Sequence, residues 1–437
     1  MAHLRLIGRD AGAGDGAARH HGQAGGERVV VKQCVILLGG LGTRLGALTA
    51  DTPKPLLPVG DIPFVEVLIA EARRRGFTNF LLLAGHRAEV VADYIDRTDV
   101  RGRFDARVEI CVEPTPLGTG GALVNALPRL EETFLLLNGD TWFDFNWLDL
   151  AAQTLAHDSD VGMSLRLVEK PDRYETIVLE GARIAAFRPR GAGLDTALIN
   201  GGVYVMRRRA IETLACPSSV ESDLLPRLVA EGKATGIAYP GFFIDIGIPE
   251  TYADAQVSVP ARRRRPAVFL DRDGVLNVDT GYPHRPEDIT WVPGAKAAVK
   301  RFNDLGFYTF VVTNQAGVAR GYYAEADIAA LHAWMGEELR AVGASIDDWR
   351  YCPFHPEGSV ARYTGAHPWR KPAPGMLLDL LAHWPVDVKE SLLIGDKASD
   401  LQAATGAGVE GHLFTGGDLI TFVEGLHPVA ARQPANR

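Results

Sequence analysis

Four stretches in the second half of the chain carry residue types suited to moving a phosphoryl group. They are Asp271-Arg-Asp-Gly-Val-Leu-Asn277, Thr313-Asn-Gln-Ala-Gly317, Arg370-Lys-Pro372 and Gly395-Asp-Lys-Ala-Ser-Asp400. A phosphomonoester is close to a dianion, and a carboxylate that attacks it is repelled. Two unit charges 4 Å apart repel by about 4 kcal/mol at an effective dielectric near 20. Cations must offset this. Asp271 and Asp396 can hold magnesium, which prefers oxygen ligands. Lys371 adds a further positive charge, and the Thr313 hydroxyl can donate to a phosphoryl oxygen. Asp271 is then placed to attack and form an aspartyl phosphate. Asp273 is placed to protonate the leaving alkoxide and later to deprotonate water. Gly274 permits the tight turn beside them.

The first half carries a different set. Leu38-Gly-Gly-Leu-Gly-Thr-Arg-Leu45 is a glycine-rich turn after an apolar run, and Pro53-Lys-Pro55 follows it. Such a turn exposes backbone N–H groups that cradle phosphates. Its spacing is not that of a dinucleotide fingerprint. Arg44 and Lys54 can neutralise a triphosphate. Asp140 and Asp245 together suggest a second magnesium ion. The implied chemistry is in-line attack of a sugar 1-phosphate on a nucleoside triphosphate, which needs positioning and charge neutralisation but no protein nucleophile.

These groups must sit at strand ends. The apolar runs Gln33–Leu38, Phe80–Ala84, Phe134–Asn138 and Gly202–Met206 read as buried parallel strands. Phe64 to Arg75 reads as an amphipathic helix. The pattern lapses over about Ala253 to Pro266, where Arg262-Arg-Arg-Arg265 reads as a solvated basic linker. A second series follows with strands at Ala267–Leu270, Phe307–Val312 and Ser391–Ile394. The expected fold is α/β, with two doubly wound domains. The expected divisions are a disordered tail over 1–32, a first domain over 33–255, a linker over 256–266, a second domain over 267–425 and a tail over 426–437.

Composition narrows the class. The chain has 437 residues, of which 46% are hydrophobic and 23% charged, as in soluble globular proteins. It contains no apolar run of about 18 residues, so no membrane span is expected. No secretory h-region opens it. Cys34, Cys111, Cys216 and Cys352 show no pairing rhythm and read as reduced thiols, so a cytoplasmic location is expected. A formal net charge of -8 argues against nucleic acid as a partner. Small anionic substrates remain compatible, and no oligomeric state is specified.

Over about residues 267 to 420 the motifs resemble the haloacid dehalogenase superfamily. Asp279-Thr-Gly-Tyr282, Thr313-Asn-Gln-Ala-Gly-Val-Ala-Arg320 and Arg370-Lys-Pro372 are most similar to D,D-heptose 1,7-bisphosphate 7-phosphatases and histidinol phosphatases. The resemblance implies magnesium held by Asp271, Asp396 and the Asp273 carbonyl. It implies substrate contacts from Asp279, Gly281, Tyr282, Asn314, Gln315, Arg320, Arg370, Lys371 and Lys397. Over about residues 33 to 255 the chain resembles the sugar-1-phosphate nucleotidyltransferases, whose fold is Rossmann-like. The resemblance rests on the glycine-rich loop, Pro53-Lys-Pro55, Glu113-Pro-Thr-Pro-Leu-Gly-Thr-Gly-Gly121, Asn138-Gly-Asp140, Ile199-Asn-Gly-Gly202 and Asp245. It is most similar to heptose 1-phosphate guanylyltransferases, which use GTP. The implied substrate contacts are Gly39, Gly40, Gly42, Thr43, Glu113, Gly118, Thr119, Gly120, Asn200, Gly201 and Glu221, with Asp140 and Asp245 on magnesium.

Two features complete the reading. Relatives of the second domain carry a structural zinc loop, Cys-x-His followed by Cys-x-Cys. Here Cys352-Pro-Phe354 and His367-Pro-Trp369 stand instead, so no zinc is expected and Phe354 and Trp369 are expected to form an apolar plug. The two implied activities are consecutive, since a 7-phosphatase releases the 1-phosphate that a nucleotidyltransferase consumes. The alternatives are other substrates, such as mannose or glucose 1-phosphate with histidinol phosphate, and a first domain that only senses nucleotide sugar.

Overall fold

A computed structural model describes residues 30–40, 42–49, 52–191 and 193–430. The expected tail 1–32 therefore lies outside the described residues except for 30–32. Those three do not read as a free tail: Val31 is buried and its carbonyl accepts a bond from Arg340 at 2.6 Å. Of the expected tail 426–437, the helix His427–Ala430 is described.

The first domain is built on a nine-stranded sheet. Its strands lie in the order Arg107–Val112, Asn79–Ala84, Gln33–Leu37, Thr133–Asn138, Thr196–Arg207, Val161–Glu169, Ala234–Ala238, Arg183–Arg188, Thr176–Glu180. The first four are parallel. Thr196–Arg207, expected to be parallel, runs antiparallel to both of its main neighbours. Its central residues, Val203 to Met206, are buried on both faces. Two-sided burial yields a continuous apolar run whatever the strand direction, so the sequence could not distinguish the two. A two-stranded ribbon stands beside the sheet. Thr141–Asp144 pairs antiparallel with Phe242–Asp245, so that Thr141 faces Asp245 and Asp144 faces Phe242.

The second domain is a five-stranded parallel sheet in the order Asp348–Cys352, Tyr308–Asn314, Ala267–Leu270, Leu392–Gly395, Glu410–Leu413. Helices cover both faces, as the two separate apolar clusters show. The strand order reverses around Ala267–Leu270, which puts the ends of the three central strands at one crevice.

The join departs from the expected solvated linker. Residues 256–263 belong to the helix Pro249–Arg263. Arg265 is 3% exposed. Its Nη1 donates to both oxygens of Asp144 (2.8 and 3.1 Å), and its Nη2 to Glu71 (3.1 Å). Arg74 and Asp347 form a second buried pair across the join at 2.7 Å, and Arg75 donates to Glu71 at 2.8 Å. Arg74 and Glu71 lie on the helix Phe64–Arg74, and both are paired with residues across the join rather than with water. Three acids and three arginines are desolvated together. Losing one partner of such a set costs about 3–5 kcal/mol. Asp347 also accepts from Thr309 N, and the backbone of Arg265 bonds Pro385 and Asp387. These residues precede or begin the strands of the second sheet. The domains therefore meet at the amino ends of those strands.

Candidate active sites

In the second domain Asp271, Thr313 and Asp396 sit at or just past the carboxyl ends of three adjacent strands. Asp271 Oδ2 lies 2.9 Å from Lys371 Nζ, and the same ammonium is 2.6 Å from Asp400 and donates to the Val312 carbonyl at 2.8 Å. Burial pushes the Asp271 carboxyl up to about 7, with Lys371 opposing and Asp400 and Asp273 adding to it. Lys371 is pulled above its usual range by Asp271 and Asp400, which outweigh its own desolvation. Asn314 fixes the lysine backbone, with Nδ2 donating to Lys371 O and Oδ1 accepting from Lys371 N, both at 3.0 Å.

Asp273 is cradled by four donors. Arg272 reaches both of its oxygens at 3.0 Å, Asn277 donates at 3.0 Å and Gln315 at 2.9 Å. Gln315 also donates to Thr313 Oγ1 and accepts from Tyr323 and Arg272. Asn314 and Gln315 are therefore engaged inside the protein. The exposed rim holds Asp279, whose carboxylate accepts from Gly281 N and pairs with Lys397 at 3.2 Å, and Tyr282, edge-on to Tyr322. Arg370 donates to the Phe354 carbonyl, and Arg320 is half-buried.

The donor set suits a divalent ion. Oxygens of Asp271, Asp396 and Asp400 lie within 4.8 Å of one another. Asp396 Oδ1 is buried without a hydrogen-bond partner, the state of a carboxylate oxygen reserved for a cation. Gly274 (φ +95°) is required here, since a Cβ would lie 2.4 Å from Asp396 Oδ2. Asp400 was not singled out from the sequence as a site residue. Its signal was its place at the end of the stretch Gly395 to Asp400, which puts it in the first turn of the helix Ala398–Ala407.

In the first domain a cavity of about 410 Å³ is lined by Gly39, Gly40, Lys54, Glu113, Gly118, Thr119, Asp140 and Glu221 among others. Lys54 is buried and ion-paired with Asp140. Asp245 accepts from Gly247 N at 2.6 Å and lines a separate groove with Tyr174, Phe243 and Asp254. A Cβ on Gly247 would meet Asp245, Arg44 and Lys54 together, so these three converge on one glycine. Burial and the charge of Asp140 raise the Asp245 carboxyl. Thr119 donates to Glu221 at 2.8 Å, and Gly120 N bonds the Ser218 carbonyl. Gly42 and Thr43 lie at the start of the exposed turn after the loop. Asn200 and Gly201 do not line the 410 Å³ cavity. Asn200 bonds Tyr204, and Gly201 packs against Phe143.

A nucleotidyl transferase family model matches residues 33–262, and a HAD-hydrolase-like model matches residues 368–419. The chain is 52% identical over 161 residues to the D-glycero-beta-D-manno-heptose-1,7-bisphosphate 7-phosphatase of Rhodopseudomonas palustris, covering 37% of this chain and 89% of that protein. It is 42% identical over 144 residues to the corresponding phosphatase of Escherichia coli K12, covering 33% of this chain and 75% of that protein. It is 30% identical over 228 residues to the D-glycero-alpha-D-manno-heptose 1-phosphate guanylyltransferase of Aneurinibacillus thermoaerophilus, covering 51% of this chain and 96% of that protein.

The chain is a nucleotidyl transferase fused to a HAD-like phosphatase.

Both halves of the fusion are enzymes. Among the described residues no helix is long and apolar enough to cross a membrane. In the phosphatase half, Phe354 and Trp369 flank His367 rather than touching each other alone. Phe354 stacks on the His367 ring at 4.3 Å, and His367 meets Trp369 edge-on at 6.3 Å. Cys352 Sγ lies 4.0 Å from His367 Nδ1, and no other Cys or His ligand completes a group with them among the described residues.

Proposed function

We propose that the fusion makes nucleotide-activated heptose, removing the C7 phosphate of D-glycero-D-manno-heptose 1,7-bisphosphate and then joining the heptose 1-phosphate to GMP from GTP. The observation that carries this reading is the pairing itself. Most of the length of a heptose bisphosphate 7-phosphatase and of a heptose 1-phosphate guanylyltransferase is matched within one chain. The phosphatase relative is named for the beta anomer and the guanylyltransferase relative for the alpha anomer, so the two steps are consecutive here when the phosphatase half accepts the alpha bisphosphate.

In the phosphatase half an Asp271 oxygen attacks the C7 phosphorus while the P–O7 bond breaks. Lys371, 2.9 Å from that carboxylate, balances the gathering charge. Asp273 gives its proton to the departing O7, then takes one from the water that hydrolyses the aspartyl phosphate. Its cradle of Arg272, Asn277 and Gln315 aims it. Magnesium on Asp271, Asp396 and the Asp273 carbonyl would supply further charge neutralisation. Arg370, Lys397, Asp279 and Tyr282 receive the sugar and its 1-phosphate. In the transferase half a heptose 1-phosphate oxygen attacks the α-phosphorus and pyrophosphate leaves. Gly39, Gly40 and Glu113 face the nucleotide, Arg44 and Lys54 hold the triphosphate, and Asp140 and Asp245 would hold magnesium, which would supply further charge neutralisation. We further propose a cytoplasmic enzyme that works without zinc.

The test supplies the bisphosphate with GTP and reads phosphate and pyrophosphate separately. Asp271→Asn abolishes phosphate release and leaves pyrophosphate release from heptose 1-phosphate intact. Asp140→Asn does the reverse. Pyrophosphate release that prefers mannose or glucose 1-phosphate to the heptose would overturn the assignment.

A further inference from the structure

The carboxylates Asp140 and Asp245 hang from one end of the two-stranded ribbon. Asp140 immediately precedes the strand Thr141–Asp144, and Asp245 ends the strand Phe242–Asp245. Ile246 N donates to the Asp140 carbonyl at 2.9 Å, which closes that end. The other end is Asp144. The ribbon is only four residues long, about 13 Å at 3.3 Å per residue. Trp142, Phe143 and Ile244 anchor its middle in the first domain's core. Its far end is clamped by the chain that enters the phosphatase domain. Arg265 grips both Asp144 oxygens at 2.8 and 3.1 Å, and Arg262 adds a third bond at 2.9 Å. Arg265 also lies over the ring of Trp142, within the ribbon itself. Six residues further on the same chain reaches Asp271.

We propose that Arg265 is a positioning residue for nucleotidyl transfer: by clamping Asp144 it fixes the ribbon that sets the spacing of Asp140 and Asp245, so that the phosphatase domain is a working part of the transferase site. This rests on reading Asp140 and Asp245 as the transferase carboxylates. Their positions are defined by backbone, and neither belongs to the nine-stranded sheet. A ribbon loosened at Asp144 can pivot at the carboxylate end. A displacement near 1 Å in such a constellation costs up to about a hundredfold in rate.

The test uses the full chain with Arg265→Met, Arg265→Lys, Asp144→Asn and the milder Arg262→Gln, whose side chain is 48% exposed. Pyrophosphate release is measured with heptose 1-phosphate and GTP, and amide exchange is followed at 141–144 and 242–245. Arg265→Met and Asp144→Asn should lower kcat about tenfold or more with KM for GTP within about threefold, because the lost interaction acts on the reacting geometry. Exchange in the ribbon should rise. Arg265→Lys should restore part of kcat, and the double variant Asp144→Asn/Arg265→Met should be no worse than either single one. Arg262→Gln should show the same split in smaller measure. Unchanged kcat in folded Arg265→Met and Arg262→Gln chains would overturn the proposal. So would parallel loss of phosphate and pyrophosphate release in step with a lowered Tm, the mark of a merely structural joint. Failure of the functional reading is separate: it appears as an Asp140→Asn chain that still releases pyrophosphate.

Discussion

Lys371 holds Asp271 and Asp400 at once, its ammonium 2.9 Å from the first and 2.6 Å from the second. All three side chains are buried. The lysine is therefore what allows two acids to share a dry crevice, besides any part it takes in phosphoryl transfer. Lys371→Met should abolish phosphate release and lower stability by about 3–5 kcal/mol, the cost of leaving buried carboxylates unpaired. Adding Asp400→Asn should recover part of the Tm but none of the phosphatase activity. Pyrophosphate release should persist in both variants at a temperature below their unfolding.

Gly274 lies directly against Asp396, one of the acids proposed to hold magnesium. Gly274→Ala forces a Cβ to within 2.4 Å of Asp396 Oδ2 in a backbone conformation that side chains avoid. Asp396 must turn aside. The magnesium concentration for half-maximal phosphate release should rise about 10- to 100-fold, as when a group orienting a ligand is lost. Titration calorimetry with magnesium alone would show the same shift without turnover.

Phe354, stacked on His367, and Trp369, edge-on to it, stand at the positions where the family resemblance implies zinc ligands. Purified chain should contain no stoichiometric zinc, and activity removed by chelation should return with magnesium alone. Phe354→His together with Trp369→Cys adds two ligands to Cys352 and His367, four in all, and this variant should bind one zinc ion. Metal analysis of the two proteins decides it; one zinc per unaltered chain would contradict the zinc-free reading.

The domains meet at the amino ends of the phosphatase strands, while Asp271, Thr313 and Asp396 lie at the carboxyl ends. The phosphatase crevice thus opens away from the join. Heptose 1-phosphate released there should mix with the surrounding pool before transfer. With labelled bisphosphate and excess unlabelled heptose 1-phosphate, the label in the nucleotide product should fall in proportion to the dilution. Label retained above that proportion would mean direct passage.

The strand-end acids were legible because each follows an apolar run and recurs with a glycine, a lysine or a second acid at fixed spacing. Asp271, Asp396, Asp140 and Asp245 were all found in this way. The direction of Thr196–Arg207 was not legible, since burial on both faces erases the alternation that would mark an antiparallel strand. Arg265 was misread for a different reason. Its partners Glu71 and Asp144 lie 194 and 121 residues away. A run of four arginines carries no sign that one of them is desolvated. The same limit hid Arg74 and Asp347, which are 273 residues apart. Asn314 and Gln315 are expected from the resemblance as substrate contacts, and only coordinates show that both are occupied by internal bonds.

The buried charges at the join also work as an address. One half offers Glu71 and Asp144 to Arg265, and the other offers Asp347 to Arg74. Glu71 keeps Arg74 and Arg75, and Asp144 keeps Arg262, within the first half, whereas among the described residues Arg265 and Asp347 find their ion partners only across the join. A chain cut between Arg263 and Arg265 would leave Arg265 and Asp347 on one piece without their ion partners, and Arg74, Glu71 and Asp144 on the other each short of one. Two such pieces would recognise each other in a single orientation, and a piece from a different transferase or phosphatase, lacking those partners, would be refused. The ion pattern thus does for two domains what a keyed connector does for two circuits.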